Sequence, residues 1–212
     1  TNIGEAHLEN FKNIRGIAKA KSELLENIKP GGTAILNRDD KFFNYLSKKA
    51  KLYNLKIYSF GKHKKSDVRI IKIKKKENKS KIFININNQT IDFEIKDLNI
   101  YNILASLTVL KALKVNFLKI KNKFKNIGTL EGRGKKYSIF RYKKNFKLID
   151  ESYNANPLSV KNAIKTLISI KKEKFKKYLI LGDMLELGPK SKKYHEDLSK
   201  VINNSDIDKV FI

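Results

Sequence analysis

Residues 150–157 read Asp-Glu-Ser-Tyr-Asn-Ala-Asn-Pro, and a second polar run, Leu-Gly-Asp-Met-Leu-Glu-Leu-Gly, occupies 181–188. The apolar stretch Phe146-Lys147-Leu148-Ile149 leads into the first run, and Asn156 is placed to cap a helix whose first residue is Pro157. A strand that ends in two carboxylates (Asp150, Glu151), a hydroxyl, a phenol (Tyr153) and two amides (Asn154, Asn156) suits a polar ligand at the carboxyl edge of a sheet. An isolated Asp and Asn-Pro at this spacing is equally an ordinary capped turn; the full eight-residue run is more specific. In the second run, Asp183 or Glu186 offers a carboxylate that can hold an ammonium through a charge-assisted hydrogen bond. Met184, the only methionine, is expected to supply adaptable apolar surface beside it. The plainer alternative is a strand-to-helix loop capped by acids.

Five other places carry usable polar groups. Asn99 and Asn102 stand three apart at the start of a predicted helix, on one face. Each amide can donate and accept, which suits an adenine edge, although Asn99 alone is also a simple cap. Arg133 lies between Gly132 and Gly134, exposed by permissive backbone at a junction or merely an incidental charge in a linker. Asn37, Asp39 and Asp40 end a short apolar strand and could do no more than cap the next helix. Lys21 on a helix and His7 near the amino end are, by residue type alone, a solvated lysine and a surface or core histidine. An ammonium has donors only, and Mg²⁺ prefers oxygen.

The elements that must position these groups follow from periodicity. Ile14, Ile17, Ala18, Leu24, Leu25 and Ile28 form a helical stripe over 13–28, ended by Pro30-Gly31-Gly32. Thr33–Leu36 and Leu55–Ser59 read as short strands around a helix capped by Asp39 or Asp40 and running to Leu52. Val68–Ile73, Ile82–Ile86 and Thr90–Ile95 alternate as antiparallel strands, the last two joined at Asn87-Asn88-Gln89. Asn99–Leu113 is a helix with Ile103, Leu104, Leu107, Leu110 and Leu113 on its face. Beyond Gly128, Tyr137–Tyr142 and Phe146–Ile149 read as strands around a Lys143-Lys144-Asn145 turn. Pro157–Ile170 is a helix, Tyr178–Leu181 a buried strand, Lys190–Ile202 a helix, and Val210–Ile212 a further strand. Alternating strands and helices predict an α/β fold with parallel sheet, divided near Lys135 into 1–135 and 136–212.

The 212 residues carry a formal net charge of +26 and no cysteine, which excludes disulfide and thiolate chemistry. Arginine occurs only at 15, 38, 69, 133 and 141, and lysine is scattered over every element. Groove and phosphate readers favour the bidentate arginine fork, so the charge argues for no specific nucleic-acid partner. No apolar run reaches the length of a membrane span, and there is no signal-peptide pattern, so a cytoplasmic protein without membrane insertion is expected.

Several short motifs resemble those of the Mur ligase family, in the family's order. They are Asn2-Ile3-Gly4-Glu5-Ala6-His7-Leu8, Ala20-Lys21-Ser22-Glu23-Leu24-Leu25, Asn37-Arg38-Asp39-Asp40, Asn99-Ile100-Tyr101-Asn102, Gly132-Arg133-Gly134 and the two polar runs. The resemblance runs end to end, and within the family the two polar runs favour the branch that joins D-alanyl-D-alanine to UDP-N-acetylmuramoyl-tripeptide in peptidoglycan precursor synthesis. It implies a partial ATP-binding central domain followed by a partial Rossmann-like carboxyl-terminal domain, ATP and Mg²⁺ as cofactors, and a monomer. It implies that Lys21, rather than Lys19, is carbamylated and shares Mg²⁺ with His7. Asn99 and Asn102 would contact adenine, Arg133 the nucleotide, and Asp150 or Glu151 a ribose hydroxyl. Asn154 would lie near phosphate, with Tyr153, Asn156, Asp183, Met184 and Glu186 toward the incoming dipeptide. In the family a His usually precedes the asparagine pair; Leu98 stands there in this chain. No G-x-x-x-x-G-K-[ST] phosphate loop occurs, and both ends read as cut, so the chain is expected to be a fragment, inactive alone. The competing readings are another Mur or folylpolyglutamate-type ligase and, from a different class, a basic nucleic-acid-binding module.

Overall fold

The computed structural model describes residues 2–5, 8–76, 79–96, 99–171 and 175–212. The chain divides into two compact units, Thr1–Ile3 with Ala18–Thr129, and Gly4–Ile17 with Leu130–Ile212. The short helix α1 (Leu8–Phe11) falls in the second of these, and α2 (Ile14–Glu26) begins where the Asn13 side chain accepts from the Gly16 N–H at 3.0 Å.

In the first unit, β1 (Thr33–Asn37), α3 (Phe43–Leu52) and β2 (Lys56–Gly61) form a parallel crossover, with Thr33 opposite Lys56 and Asn37 opposite Phe60. β3 (Val68–Lys76) joins β2 in parallel for two residue pairs. β4 (Lys79–Ile86) and β5 (Gln89–Ile95) then continue the sheet antiparallel, giving the order β1-β2-β3-β4-β5. Asn87 and Asn88 both adopt positive φ (54° and 61°), the two-residue turn whose twist suits a hairpin. Strict alternation buries Ile82, Ile84, Ile86, Phe93 and Ile95 on one face. A register shift between Ile70 and Lys72 breaks the alternation in β3, leaving Ile71 and Ile73 exposed.

The buried face packs on Ile103, Leu104 and Leu107 of α4 (Ile100–Ala112) and on Phe117 of the short α5 (Phe117–Ile120). Phe124 meets Phe93 edge-on at 5.2 Å. A second cluster sets Leu25 of α2 and Ala50 of α3 against Ala34 and Leu36 of β1. Two residues of the predicted stripes do not pack: Leu24 and Leu113 are 70% and 68% exposed. Leu113 has passed the end of α4 as its C-cap, where the helical face no longer continues.

In the second unit, β6 (Lys135–Arg141) and β7 (Lys144–Asp150) pair antiparallel. The turn is Tyr142-Lys143, with φ 50° and 56°, not the expected Lys143-Lys144-Asn145; Lys144 already pairs with Arg141. α6 (Pro157–Ile168), β8 (Tyr178–Ile180), α7 (Ser191–Asn203) and β9 (Lys209–Phe211) follow, and β8 and β9 pair in parallel with α7 as the crossover. The strand expected to be buried is not: Tyr178 and Ile180 are 52% and 78% exposed. Leu179 faces the Ile164, Met184, Leu187 and Leu198 cluster, and the two-residue period turns its neighbours to the other face. Lys177, 4% exposed, anchors the start of β8. Its Nζ reaches both Asp206 carboxylate oxygens at 2.8 and 2.7 Å and the Ile168 carbonyl at 2.9 Å. Among the described residues no helix is long and apolar enough to cross a membrane.

Candidate functional site

The register of the β6–β7 hairpin sets Lys135 opposite Asp150, so the residues just before β6 and just after β7 emerge side by side. There they interlock. The Gly132 N–H donates to Asp150 Oδ2 at 3.0 Å and the Gly134 N–H to the Asp150 carbonyl at 2.7 Å. The Tyr153 N–H donates in return to the Gly132 carbonyl at 3.1 Å, and the Arg133 guanidinium lies 4.1 Å from the Tyr153 ring centroid. Gly132 has φ 67°, and a Cβ there would stand 2.7 Å from Tyr153 Cβ, so both conformation and close approach demand glycine.

The two adjacent carboxylates of this corner differ in kind. Asp150 Oδ1 accepts from the Ser152 hydroxyl at 2.7 Å and the Ser152 N–H at 3.1 Å. These bonds, the hydroxyl first, then the Ser152 and Gly132 amides, hold its pKa below the usual carboxylate value. Glu151 is pushed the other way, by desolvation first and then by the charge of Asp150. Its Oε1 stands over Gly134, 3.1 Å from where a Cβ would be. Asp150 is thus the acceptor that closes the corner, while Glu151, exposed as a residue, has its carboxyl drawn over Gly134.

Beyond them Tyr153 and Asn154 are exposed, and Asn156 caps α6. Asn156 Oδ1 accepts from the Leu158 and Ser159 amides at 3.1 and 2.9 Å, while Ser159 Oγ accepts from the Asn156 N–H at 3.0 Å. The cap therefore occupies the Asn156 oxygen.

The Gly182–Gly188 loop after β8 presents Asp183 and Glu186 to solvent. Met184 corrects the expectation of adaptable apolar surface: it is 2% exposed, packed with Ile164, Leu187 and Leu198. Met184 and Leu187 are drawn under the loop, whereas Leu185 between them stays 73% exposed. Glu186 takes a positive φ of 61°, and its carbonyl accepts from the Glu9 N–H at 3.1 Å. His195, on α7, accepts the Met184 N–H at Nε2 (3.1 Å).

In the first unit, Asn99 caps α4, its side chain accepting from Tyr101 N and Asn102 N at 2.9 and 3.4 Å; Asn102 is exposed. Neither Asp39 nor Asp40 caps α3, whose N-cap is Phe42 without a side-chain bond. Asp40 instead makes a local turn, accepting from the Phe42 N–H at 2.8 Å through Oδ1 and from the Ile3 N–H at 2.7 Å through Oδ2. Asp39 ties the β2–β3 loop to α4. Its oxygens accept from the Lys62 and His63 amides at 2.6 and 3.0 Å and from the Tyr101 hydroxyl at 2.9 Å. Desolvation first, then this bond to Asp39, pushes Tyr101 up to about 12. The Asp39–Tyr101 link was hidden in the sequence because it spans residues far apart; two consecutive acids looked like a cap.

Lys21 and Lys19 are both exposed on α2, whereas Ser22 is buried with its hydroxyl 3.2 Å from that of Tyr45. His7 lies outside the described residues. Among the described residues no three His, Asp or Glu side chains gather into a metal-holding group, and an unmodified Lys21 offers donors only. These residues do not by themselves fit Mg²⁺. The structure thus brings Arg133, Asp150, Glu151 and Tyr153 into one corner and seats Asp183 and Glu186 on the next loop of the same unit. Asn99, Asn102 and Lys21 belong to the other unit.

The Mur ligase middle domain matches residues 1–110, and the Mur ligase glutamate ligase domain matches residues 138–212. A curated relative, the UDP-N-acetylmuramoyl-tripeptide–D-alanyl-D-alanine ligase of Buchnera aphidicola subsp. Acyrthosiphon pisum, is 34% identical over 99% of this chain and 46% of its own length. The crystal structure of MurF from Acinetobacter baumannii superposes with a TM-score of 0.84 at 27% identity, over 99% of this chain and 44% of that one. The MurF ligase from Thermotoga maritima, in complex with ADP, gives a TM-score of 0.78 at 26% identity, over 97% and 46% respectively. The chain therefore spans under half the length of these relatives.

Proposed function

Because this chain belongs to the Mur ligase family, we propose that it is part of an ATP-dependent amide ligase joining D-alanyl-D-alanine to UDP-N-acetylmuramoyl-tripeptide, working in the cytoplasm as a monomer. The observation that carries this reading is the likeness, 34% identity through 99% of the chain, to a relative bearing that name. Such a ligase phosphorylates the carboxylate of the tripeptide and lets the dipeptide amine attack the acyl phosphate, with phosphate leaving. The protein's share of the work is to position two substrates and to balance charge.

The division near Lys135 and the roles of single residues are part of the proposal. Asn99 and Asn102 meet the adenine, Asn102 being the exposed amide of the pair. Arg133, stacked on Tyr153, meets the nucleotide. Of Asp150 and Glu151, Glu151 is favoured as acceptor of a ribose hydroxyl, because the Asp150 oxygens already accept from Gly132 and Ser152 in closing the corner. Asn154 lies toward phosphate. Tyr153, Asn156, Asp183 and Glu186 belong to the dipeptide side, the two acids drawing its ammonium. Lys21 carries a carbamate, which turns a donor-only ammonium into an oxygen anion of the kind that, with His7, suits Mg²⁺.

The test is phosphate release by the gene product that contains this chain, with each substrate omitted in turn. The expected result is release that requires ATP, the UDP-muramoyl tripeptide and D-alanyl-D-alanine together, with none from residues 1–212 alone. Release supported by L-alanine on UDP-N-acetylmuramate, or by glutamate on folate, would move the protein to another ligase of the family.

A further inference from the structure

His195 makes three hydrogen-bond contacts; that of Nδ1 with Ser191 Oγ at 3.4 Å fits either tautomer, but the two with backbone groups leave no choice. A backbone N–H only donates, so the Met184 N–H at 3.1 Å requires a bare Nε2. A backbone carbonyl only accepts, so the Ser191 carbonyl at 2.9 Å requires a proton on Nδ1. The ring is therefore the neutral Nδ1–H imidazole. It joins the first turn of α7 to the middle of the Gly182–Gly188 loop.

Two further distances give this bond a consequence. The side chain of Met184 is buried among Ile164, Leu187 and Leu198, so the residue is held from both sides, by packing and through its amide. Asp183, whose side chain is 85% exposed, has Oδ1 3.9 Å from the same Nε2. A bare nitrogen there forms no ion pair with the carboxylate. A protonated Nε2 would both lose the Met184 N–H and draw Asp183 onto the ring.

We propose that His195 is a positioning residue: as the neutral Nδ1–H tautomer it fixes the Gly182–Gly188 loop through Met184 and leaves the Asp183 carboxylate turned to solvent for a cationic substrate group. The second half of this statement rests on the loop's reading as the dipeptide site; the first half does not.

Three variants of the intact protein separate these parts. His195→Phe removes the acceptor, His195→Gln restores one at the Nε2 position, and Asp183→Ala removes only the carboxylate. In the wild type, two-bond ¹H–¹⁵N correlation of the imidazole should show Nδ1 protonated and Nε2 bare; a protonated Nε2 overturns the proposal without any variant. Amide exchange at Met184 should speed up roughly tenfold in His195→Phe and return to within about twofold of wild type in His195→Gln. In the same order the KM for D-alanyl-D-alanine should rise roughly tenfold and recover, with the KM for ATP unmoved. Equal damage from Phe and Gln, or unchanged exchange in Phe, refutes the positioning role. If Asp183→Ala leaves the dipeptide KM unchanged, the loop's reading as the dipeptide site fails, and with it the second half of the proposal. The exchange at Met184 still decides the first half.

Discussion

Replacing Gly132 by alanine tests the corner on which the nucleotide reading of Arg133, Asp150 and Glu151 depends. At φ 67° an L-residue is strained by about 1–2 kcal/mol, and the loss of unfolded-state freedom returns only about 0.4–1 kcal/mol of that. The new Cβ would lie 2.7 Å from Tyr153 Cβ, 2.8 Å from its nitrogen and 3.0 Å from its Cα. Backbone and Cβ atoms cannot swing aside, so overpacking of about 1–3 kcal/mol is added. The expected local destabilisation is about 2–4 kcal/mol. Gly134→Ala is the internal control. Its φ is 85°, but its Cβ meets only Glu151 Oε1 at 3.1 Å, the free end of a flexible side chain, so strain alone remains, about 1 kcal/mol. Gly128, with nothing within 4 Å, should tolerate alanine within about 0.5 kcal/mol. The assay is amide exchange at Gly134 and Tyr153, the donors that close the corner, read in each variant as a local opening free energy. Equal effects at 132 and 134, or none at 132, would refute the claim that close approach to Tyr153 shapes this site.

Three other outcomes are expected. Tyr101, raised to about 12, keeps its proton in the folded state after it is lost in the unfolded chain, so the first unit should lose stability as pH rises from about 10 to about 12. In Tyr101→Phe that alkaline fall should shrink, as followed by denaturant titration at stepped pH. In the intact protein Asn102→Ala should raise the KM for ATP, and Asp183→Ala or Glu186→Ala the KM for the dipeptide, each roughly tenfold, in steady-state kinetics with one substrate varied at a time. Lys21→Ala should abolish turnover while Lys19→Ala spares it; the reverse would refute the choice of Lys21 as the lysine proposed to carry a carbamate.

What could be read in the sequence was local. Asn156-Pro157 announces its helix because the cap and the first-turn proline act within three residues. Asn87-Asn88 announces its turn because asparagine tolerates positive φ. Tyr142-Lys143 gave no such cue, since neither residue favours that conformation, and only the pairing of Arg141 with Lys144 forces it. Long-range partners were equally hidden. Asp39 reads as a cap until Tyr101 is found on its carboxylate, and Met184 reads as ligand surface until Ile164 and Leu198 are found around it. The bonds of His195 were not legible because its partners are backbone groups, which leave no trace in residue types. At the corner where β6 begins and β7 ends, Gly132-Arg133-Gly134 and Asp150–Tyr153 were each visible as motifs. Their meeting is a product of the Lys135–Asp150 register.

The direct measurement is mass spectrometry of the product formed by the gene product containing this chain, given ATP, UDP-N-acetylmuramoyl-tripeptide and D-alanyl-D-alanine. The account predicts a UDP-muramoyl pentapeptide, formed with one phosphate released per dipeptide joined. Unaltered tripeptide, or a product extended by a single amino acid when single amino acids are supplied instead, would contradict it.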